Sequence, residues 1–469
     1  MLYKYKFSQL LHFSSERNYK IQKYHWAIST ETGTIQHDMS QPYIGIIADD
    51  FTGATDIGNS FVRNGMRCTL TVGVPDTDQR IPDTDALVVA LKTRSVSRDE
   101  AVRQSLHARS WLEKQGVQVY YFKYCSTFDS TEEGNIGPVM DALVEELGVQ
   151  QTVVAPAFPD NFRTVYQGHL FVRDRLLNES GMENHPLTPM KDANLVRFLG
   201  TQTAATIGLI PQAVISAGVE AVKVRIQELR DQHVAYMIVD TLTNSDLVVL
   251  AQAVGEFPFL TGSSALAEHL PGVYQTMGQV VPCNDAAALE PTPGRQLILS
   301  GSCSTATQGQ VQHFLKHHRG FHIDPLKLAH GSDHLEEALT FVRQAFSEDP
   351  DALEPVLVYA STNAATVLKA QEILGVDAAG ALVENALASL ALSLVSEGVT
   401  KLIVAGGETS GAVVSALGVR HLRLGAQIDP GVPWTQTKIH LVSHPISIAL
   451  KSGNFGGQDF FTRAFEVLS

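Results

Sequence analysis

Residues 44–56 read IGIIADDFTGATD, an apolar run that passes without a break into two adjacent acids and then into small residues. A β-rich run ending at Ala48, followed by a helix that Thr52 and Gly53 open and that ends near Gly65, is the first half of a βα unit. In open α/β sheets ligands collect at the carboxyl ends of strands, so Asp49 and Asp50 fall on a binding edge. Successive strand residues alternate in direction, so one of the two faces a ligand squarely. Free N–H groups at the helix start suit an anion, and a carboxylate beside them can accept a hydroxyl proton. Simple helix capping competes for either acid. Asp56, in the first helical turn, serves equally well as a complement to the helix dipole.

From this unit the same rhythm runs outward. YIGIIA (43–48), CTLTVG (68–73), ALVVAL (86–91), VYYFKY (119–124), TVVAPA (152–157) and AYMIVD (235–240) read as strands separated by helical patterns. One of these, DEAVRQSLHARSWLEKQG, carries acids early and Lys114 late and stops at Gly116. Near residue 283 the segment CNDAAALEPTPGRQ breaks the pattern with two prolines and a glycine, which reads as a linker. Beyond it RQLILSGS, EPVLVYAS and KLIVAGGE repeat the strand-then-small-residue theme. The expected fold is therefore α/β, two α/β domains with mainly parallel sheets and a site in the cleft between them. Expected boundaries are a leader at 1–41, an N-terminal domain at 42–282 and a C-terminal domain at 283–469. The leader is mixed and aperiodic, and Met39, just ahead of the first strand, is the expected natural start.

Composition narrows the function. With 469 residues, 44% hydrophobic and 18% charged, the chain has ample core material and exceeds what one core usually serves. A formal charge of −14 disfavours nucleic acid held by a general positive field. Cys68, Cys125, Cys283 and Cys303 are far apart and form no CxxC pair, which suggests neither a disulfide framework nor zinc and fits a reducing cytoplasm. No apolar run was expected to approach the roughly 18 residues of a membrane helix.

Further polar clusters follow other strands. LKTRS (91–95) places Lys92 and Arg94 past a strand, where a guanidinium can clamp a carboxylate and an exposed surface pair is as plain a reading. KYCSTFDST (123–131) supplies Lys123, Ser126, Thr127, Asp129, Ser130 and Thr131, a donor density suited to a polyhydroxylated ligand and more than a Ser/Thr turn needs. In the C-terminal half AGGETSG (405–411), SGSCS (300–304) and KSGNFGG (451–457) each allow close backbone approach to phosphate, and three together favour a nucleotide cleft over three unrelated turns. Neither GxxxxGK with Ser or Thr nor GxGxxG occurs. Asp429 in IDPGVPW orients magnesium or simply makes an Asp-Pro-Gly turn. His313 and His317 share a helix face without a third metal ligand.

Taken in order, IADDFTGATD, KYCSTFDSTEEGNIGP, AFPDNFRTVYQGHLF, NHPLTPMKDANL, GSCSTATQGQV, GGETSGAV, IDPGVPW and LKSGNFGGQDFF resemble the four-carbon acid sugar kinase family, from about Tyr43 to the C-terminus. The resemblance implies ATP contacts around Ser300, Gly406, Gly407, Glu408, Thr409 and Gly453; Ser302, beside Ser300, joins them as a candidate, and Asp429 remains the candidate for magnesium. It implies a sugar acid facing Asp49, Asp50, Arg94 and the segment with Lys123, Ser126, Asp129 and Ser130, and Thr52 and Asp56 at the helix start are further candidates for substrate contact. TFDSTEEG lacks the Lys and Arg usual in much of the family, at Thr127 and Glu133, which points to the branch acting on 3-oxo-tetronates. Phe162 stands where relatives usually have Gly, and Ala426 and Gln427 replace a usual Pro-Glu. The expected reaction is ATP-dependent phosphorylation of the terminal hydroxyl, with Asp50 as base and Asp49 as organiser, and with the domains closing about residue 283. A D-threonate or D-erythronate kinase and a nucleotide-responsive binding protein without catalysis are the alternatives. Expected partners are the sugar acid and ATP, with no nucleic acid and no membrane; a homodimer is left open.

Overall fold

The computed structural model describes residues 41–76, 81, 83–184, 188–329, 333–349, 351, 354–360, 372–373 and 375–468. The expected leader, apart from residue 41, and the expected start at Met39 lie outside the described residues.

The N-terminal half supplies strands β1 (Ile44–Ala48), β2 (Cys68–Val72), β3 (Ala86–Ala90), β4 (Val119–Lys123), β5 (Thr152–Ala155), β6 (Arg163–Tyr166), β7 (His169–Val172), β8 (Arg175–Leu176), β9 (Ile207–Ile210), β10 (Tyr236–Val239) and β11 (Phe259–Gly262). The C-terminal half supplies β12 (Arg295–Ser300), β13 (Gly320–His322), β14 (Val356–Tyr359), β15 (Val399–Ala405), β16 (His421–Asp429), β17 (Val432–Thr437) and β18 (Ile446–Lys451). β6, β7 and β8 form a small antiparallel sheet; the other 15 form one sheet in the order β13-β14-β12-β15-β18-β17-β16-β2-β3-β1-β4-β11-β5-β10-β9. From β2 to β9 every pairing is parallel. Each of β1, β3 and β4 is buried along its whole length, because crossover helices cover both faces of a parallel sheet.

Both α/β halves anticipated from the strand pattern are present, and their sheets merge. The C-terminal half is parallel from β13 to β18 and then turns antiparallel through β17 and β16. β16 meets β2 antiparallel, pairing His421 with Thr71, Leu422 with Leu70 and Arg423 with Thr69. The helix Phe51–Arg63 lies across this seam: a Cβ built on Gly58 would sit 2.6 Å from Leu424 Cδ2, so any larger residue would push that side chain aside. Any movement of one half against the other must bend this ladder as well as the linker near residue 283.

One expectation needs correction. The stretch Ala378–Ser396, inside the helix Val376–Ser396, has 19 residues at a mean hydropathy of 1.6, long and apolar enough to cross a membrane. Its apolarity serves the core instead, since Leu387, Leu390, Ala391 and Leu394 are fully buried and half of the stretch packs inside the protein.

Candidate active site

The register of the sheet assembles two clusters. Ala48 pairs with both Ala90 and Lys123, so the segments after β1, β3 and β4 leave the sheet side by side. Ala405 pairs with both Ser300 and Lys451, which brings the three glycine-rich turns together in the same way. In each half this is the point where the chain order reverses, the usual place for a ligand.

Charge dominates the first cluster. Asp49, nearly fully buried, holds Arg94 in a bidentate pair, Nε to Oδ2 at 2.8 Å and Nη2 to Oδ1 at 2.9 Å. Arg94 Nη2 also lies 2.8 Å from Asp50 Oδ1, and Nη1 lies 3.8 Å from Asp129 Oδ2. Burial raises the Asp49 carboxyl above the usual carboxylate range against the opposing pull of Arg94 and Lys123. Burial also disfavours the Arg94 guanidinium, but Asp49 and Asp50 more than offset it and raise Arg94 further. The pair is thus locked, and the guanidinium's longest contact is the one from Nη1 to Asp129.

Asp50 does cap the helix, accepting from Gly53 N at 3.0 Å. Both its contacts use Oδ1, which leaves Oδ2 available; capping and proton acceptance therefore do not compete for one atom. Lys123 is buried and donates to Tyr124 O at 2.9 Å, and a Cβ on Gly53 would stand 2.7 Å from its Nζ. Asp56 accepts from the Ser264 hydroxyl, and burial raises its carboxyl against Lys123 and Ser264. Thr52 is half-buried, and its carbonyl accepts from Thr55 Oγ1. Asp129 accepts from Thr127 Oγ1 at 2.6 Å, Ser130 accepts from Gln202 Nε2 at 2.8 Å, and Ser126 is half-exposed with no hydrogen-bond partner among the described residues. A small pocket opens among Asp49, Arg94, Asp129, Ser130 and Asn135.

Three residues escape a reading of the sequence. Asn135 Nδ2 donates to Thr93 O at 2.7 Å and Val96 O at 2.9 Å, pinning the loop that carries Arg94. Gln202 ties Ser130 to the start of the helix Ile136–Leu147 through Gly137 N. Arg163 has a buried Nε without a hydrogen-bond partner among the described residues, and burial lowers its guanidinium against the pull of Cys125 and Asp129. Asn and Gln are generic turn residues, and the only signal for Asn135 and Arg163 was their place in the family-like segments KYCSTFDSTEEGNIGP and AFPDNFRTVYQGHLF.

In the second cluster Ser300 is fully buried at the end of β12. A Cβ on Gly301 or Gly406 would stand 2.2 or 2.9 Å from Thr409 Oγ1, and one on Gly453 would stand 2.5 Å from Ser302 Oγ. Gly406, at φ +130°, starts the helix Gly407–Ala416, a conformation that excludes other residues. Ser300, Ser302, Gly406, Gly407, Thr409 and Gly453 are thus brought together. Glu408 instead points across to the other half, its Oε2 lying 3.6 Å from Lys92 Nζ. Lys92 is two residues from Arg94, so the segment after β3 and the helix Gly407–Ala416 meet at this exposed contact. Asn59, on the helix Phe51–Arg63, also donates to Gln427 on β16.

Asp429 lies apart from Ser302 and Thr409 in its contacts. It pairs with Arg463 and accepts from Gly457 N at 2.9 Å, which anchors the far end of the KSGNFGG turn. Among the described residues no group of three or more His, Cys, Asp or Glu could hold a metal ion. Phe162 occupies a left-handed conformation at φ +59°, which explains why glycine suits the position, and its exposed ring lies under Arg173 at 5.1 Å.

An acid- and cation-rich cluster in one half and a glycine-lined one in the other agree with comparisons with known proteins. Residues 44–270 match the family described as a sugar-binding N-terminal domain, and residues 297–461 match its nucleotide-binding C-terminal domain. The chain belongs to the four-carbon acid sugar kinase family. Among its relatives, the 3-oxo-tetronate kinase of Burkholderia multivorans is 50% identical over 429 residues, 92% of this chain and 98% of that protein. The enzyme of the same name from Cupriavidus necator is 49% identical over 439 residues, 93% of this chain and 99% of that protein. A crystal structure of a Haemophilus influenzae protein, 42% identical, superposes with a TM-score of 0.80 over 91% of this chain and 100% of its own.

Proposed function

We propose that this chain transfers the γ-phosphoryl group of ATP to the 4-hydroxyl of 3-oxo-tetronate, giving the 4-phosphate and ADP. The observation that carries this reading is the Lys92–Glu408 contact, through which the segment after β3 meets the helix Gly407–Ala416. Phosphoryl transfer asks a protein mainly for alignment and charge stabilisation. Arg94 Nη1, Lys123 and Arg163 are the cations available to the substrate carboxylate and oxo group, and Ser126, Asp129 and Ser130 supply hydroxyl partners. Asp49 holds Arg94 in place. Asp50 takes the hydroxyl proton on Oδ2 as the substrate oxygen bonds to the γ-phosphorus and ADP leaves.

On the other side the turns after β12, β15 and β18 receive the nucleotide, Ser302 and Thr409 donating beside the glycine backbone. Magnesium enters with ATP, which suits a protein without a three-ligand acidic cluster among its described residues, since this ion keeps water and phosphate ligands. The Arg463 and Gly457 contacts of Asp429 favour a loop-anchoring role over direct coordination. The functional division falls at residue 283, with the sugar acid bound by 42–282 and the nucleotide by 283–469. The composition fits a cytoplasmic enzyme.

A coupled ADP-release assay on purified protein tests the reading with 3-oxo-tetronate, D-threonate and D-erythronate at equal concentration. Turnover highest on the oxo acid is the expected result; preference for either other acid overturns the substrate assignment. ATP binding without ADP formation on any of the three overturns catalysis itself.

A further inference from the structure

A lysine is fully buried at the end of β18, with no acid paired to it among the described residues. Lys451 Nζ lies 2.9 Å from Thr307 Oγ1 and donates to the carbonyls of Ser452 at 3.1 Å, Gly453 at 3.2 Å and Phe455 at 3.2 Å. Every partner is neutral, an arrangement more typical of a bound monovalent cation than of a buried lysine, which is normally paired. Cys303, Asp429, Asp459 and Arg463 lie on the neighbouring turns and helices; none forms an ion pair with Lys451, and both acids are engaged by Arg463. The Phe460 ring centroid is 6.0 Å from the ammonium.

What the ammonium does follows from peptide geometry. In a planar trans peptide the carbonyl and the next residue's N–H point in opposite directions. Gathering the carbonyls of Ser452, Gly453 and Phe455 therefore turns the N–H groups of Gly453, Asn454 and Gly456 away from Lys451. None of these three N–H groups has a partner among the described residues. Gln310 Nε2, also buried, collects the carbonyls of Phe455, Gly456 and Gly457 at 3.0, 2.9 and 3.1 Å. Ser304 and Thr307 hydroxyls add to the Gly453 carbonyl. The turn is thus held from beneath with its free donors outward, which is how a backbone cradle for an anion is built.

We propose that Lys451 is a positioning residue of the nucleotide site, its internal ammonium holding the 451–457 turn so that three peptide N–H groups receive phosphate oxygens of ATP. The inference rests on the assignment of the C-terminal half to the nucleotide. Burial draws this lysine down to about 8, so the turn loses its central cation in mildly alkaline solution. The two consequences have opposite signs. Nucleotide affinity falls as pH rises above about 8, because the binding form is the charged one. Stability of the free protein relative to a Lys451→Met variant rises between about pH 8 and 10.5, because the unfolded chain retains the proton longer than the folded one.

Isothermal titration of the full chain with ATP and excess magnesium at pH 7, 8, 9 and 9.5 tests this, in a Cys303→Ser background that removes the exposed neighbouring thiol. Expected is an affinity nearly constant to pH 8 and then falling, approaching tenfold per unit. Lys451→Met should bind ATP at least tenfold more weakly at pH 7 and show no alkaline fall, while sugar-acid affinity stays unchanged. An affinity equally flat across the series in the lysine protein overturns the proposal even if the Met variant fails to fold. No ATP binding at pH 7 overturns the nucleotide assignment as well, so the two failures are distinguishable.

Discussion

Substituting Asp50 by Asn separates its two roles, because the new side chain keeps the cap and loses the base. Asn caps a helix about as well as Asp, so the bond to Gly53 N survives with a change of a few tenths of a kcal/mol. The Asp50–Arg94 contact is lost, but both side chains are partly exposed, at 29% and 25%, and Arg94 keeps its bidentate partner. Such a pair is worth about 1 kcal/mol or less. A general base contributes about 10²- to 10⁴-fold to rate, equivalent to about 3 to 5 kcal/mol of barrier. Asp50→Asn should therefore lower kcat at least a hundredfold while shifting the urea midpoint by an amount equivalent to less than about 1.5 kcal/mol. Asp50→Ala, which removes cap and base together, should be as inactive and less stable by about 1 kcal/mol more. The assay is ADP release at saturating ATP and sugar acid, with denaturation of the same preparations. An Asn variant retaining kcat within threefold of the parent refutes the base assignment and leaves Asp50 as a cap alone.

Three further outcomes follow from the geometry. Arg94→Met strands a buried carboxylate and should cost about 3 to 5 kcal/mol near neutral pH; since burial raises Asp49 and its neutral form tolerates the loss, the deficit should be smaller at pH 5 than at pH 7.5, and an equal deficit at both refutes this reading. Gly406→Ala forces a side chain into φ +130° and within 2.9 Å of Thr409 Oγ1, so ATP affinity by titration should drop at least tenfold with sugar-acid binding unchanged; retained affinity contradicts the placement of the nucleotide at this turn. Phe162→Gly relieves about 1 to 2 kcal/mol of left-handed strain but loses an exposed cation–π contact and adds chain entropy in the unfolded state, so stability should change by less than about 1 kcal/mol and kcat by less than about twofold; a tenfold change in kcat would show that the ring meets substrate.

How much was legible depended on burial. The strands beginning at Ile44, Cys68, Ala86, Val119, Thr152 and Tyr236 were visible because parallel strands covered on both faces read as continuous apolar runs. β11, four residues ending in Gly262, was too short and too like a turn to stand out. β16 and β17 were hidden for another reason: they carry Arg423, Gln427, Pro433 and Gln436 and owe their structure to partners, including β2 from the far end of the chain. Non-local pairing of that kind leaves little local signal. The acids and the glycine turns could be read as chemistry following strands. The residues that hold them could not, because Asn135, Gln202 and Gln310 act on backbone and hydroxyl groups contributed by segments distant in sequence.

The seam between β2 and β16 also governs how the protein can be made and divided. β2 lies at the border of the N-terminal half, and among the described residues its outward edge is covered by residues 420–423 of the C-terminal half. During synthesis that edge, and the face of the helix Phe51–Arg63 that meets Leu424, stay bare until almost the whole chain has emerged. A fragment stopping near residue 283 carries a template for strand addition, and separate expression of the halves should give material that self-associates unless the two are produced together.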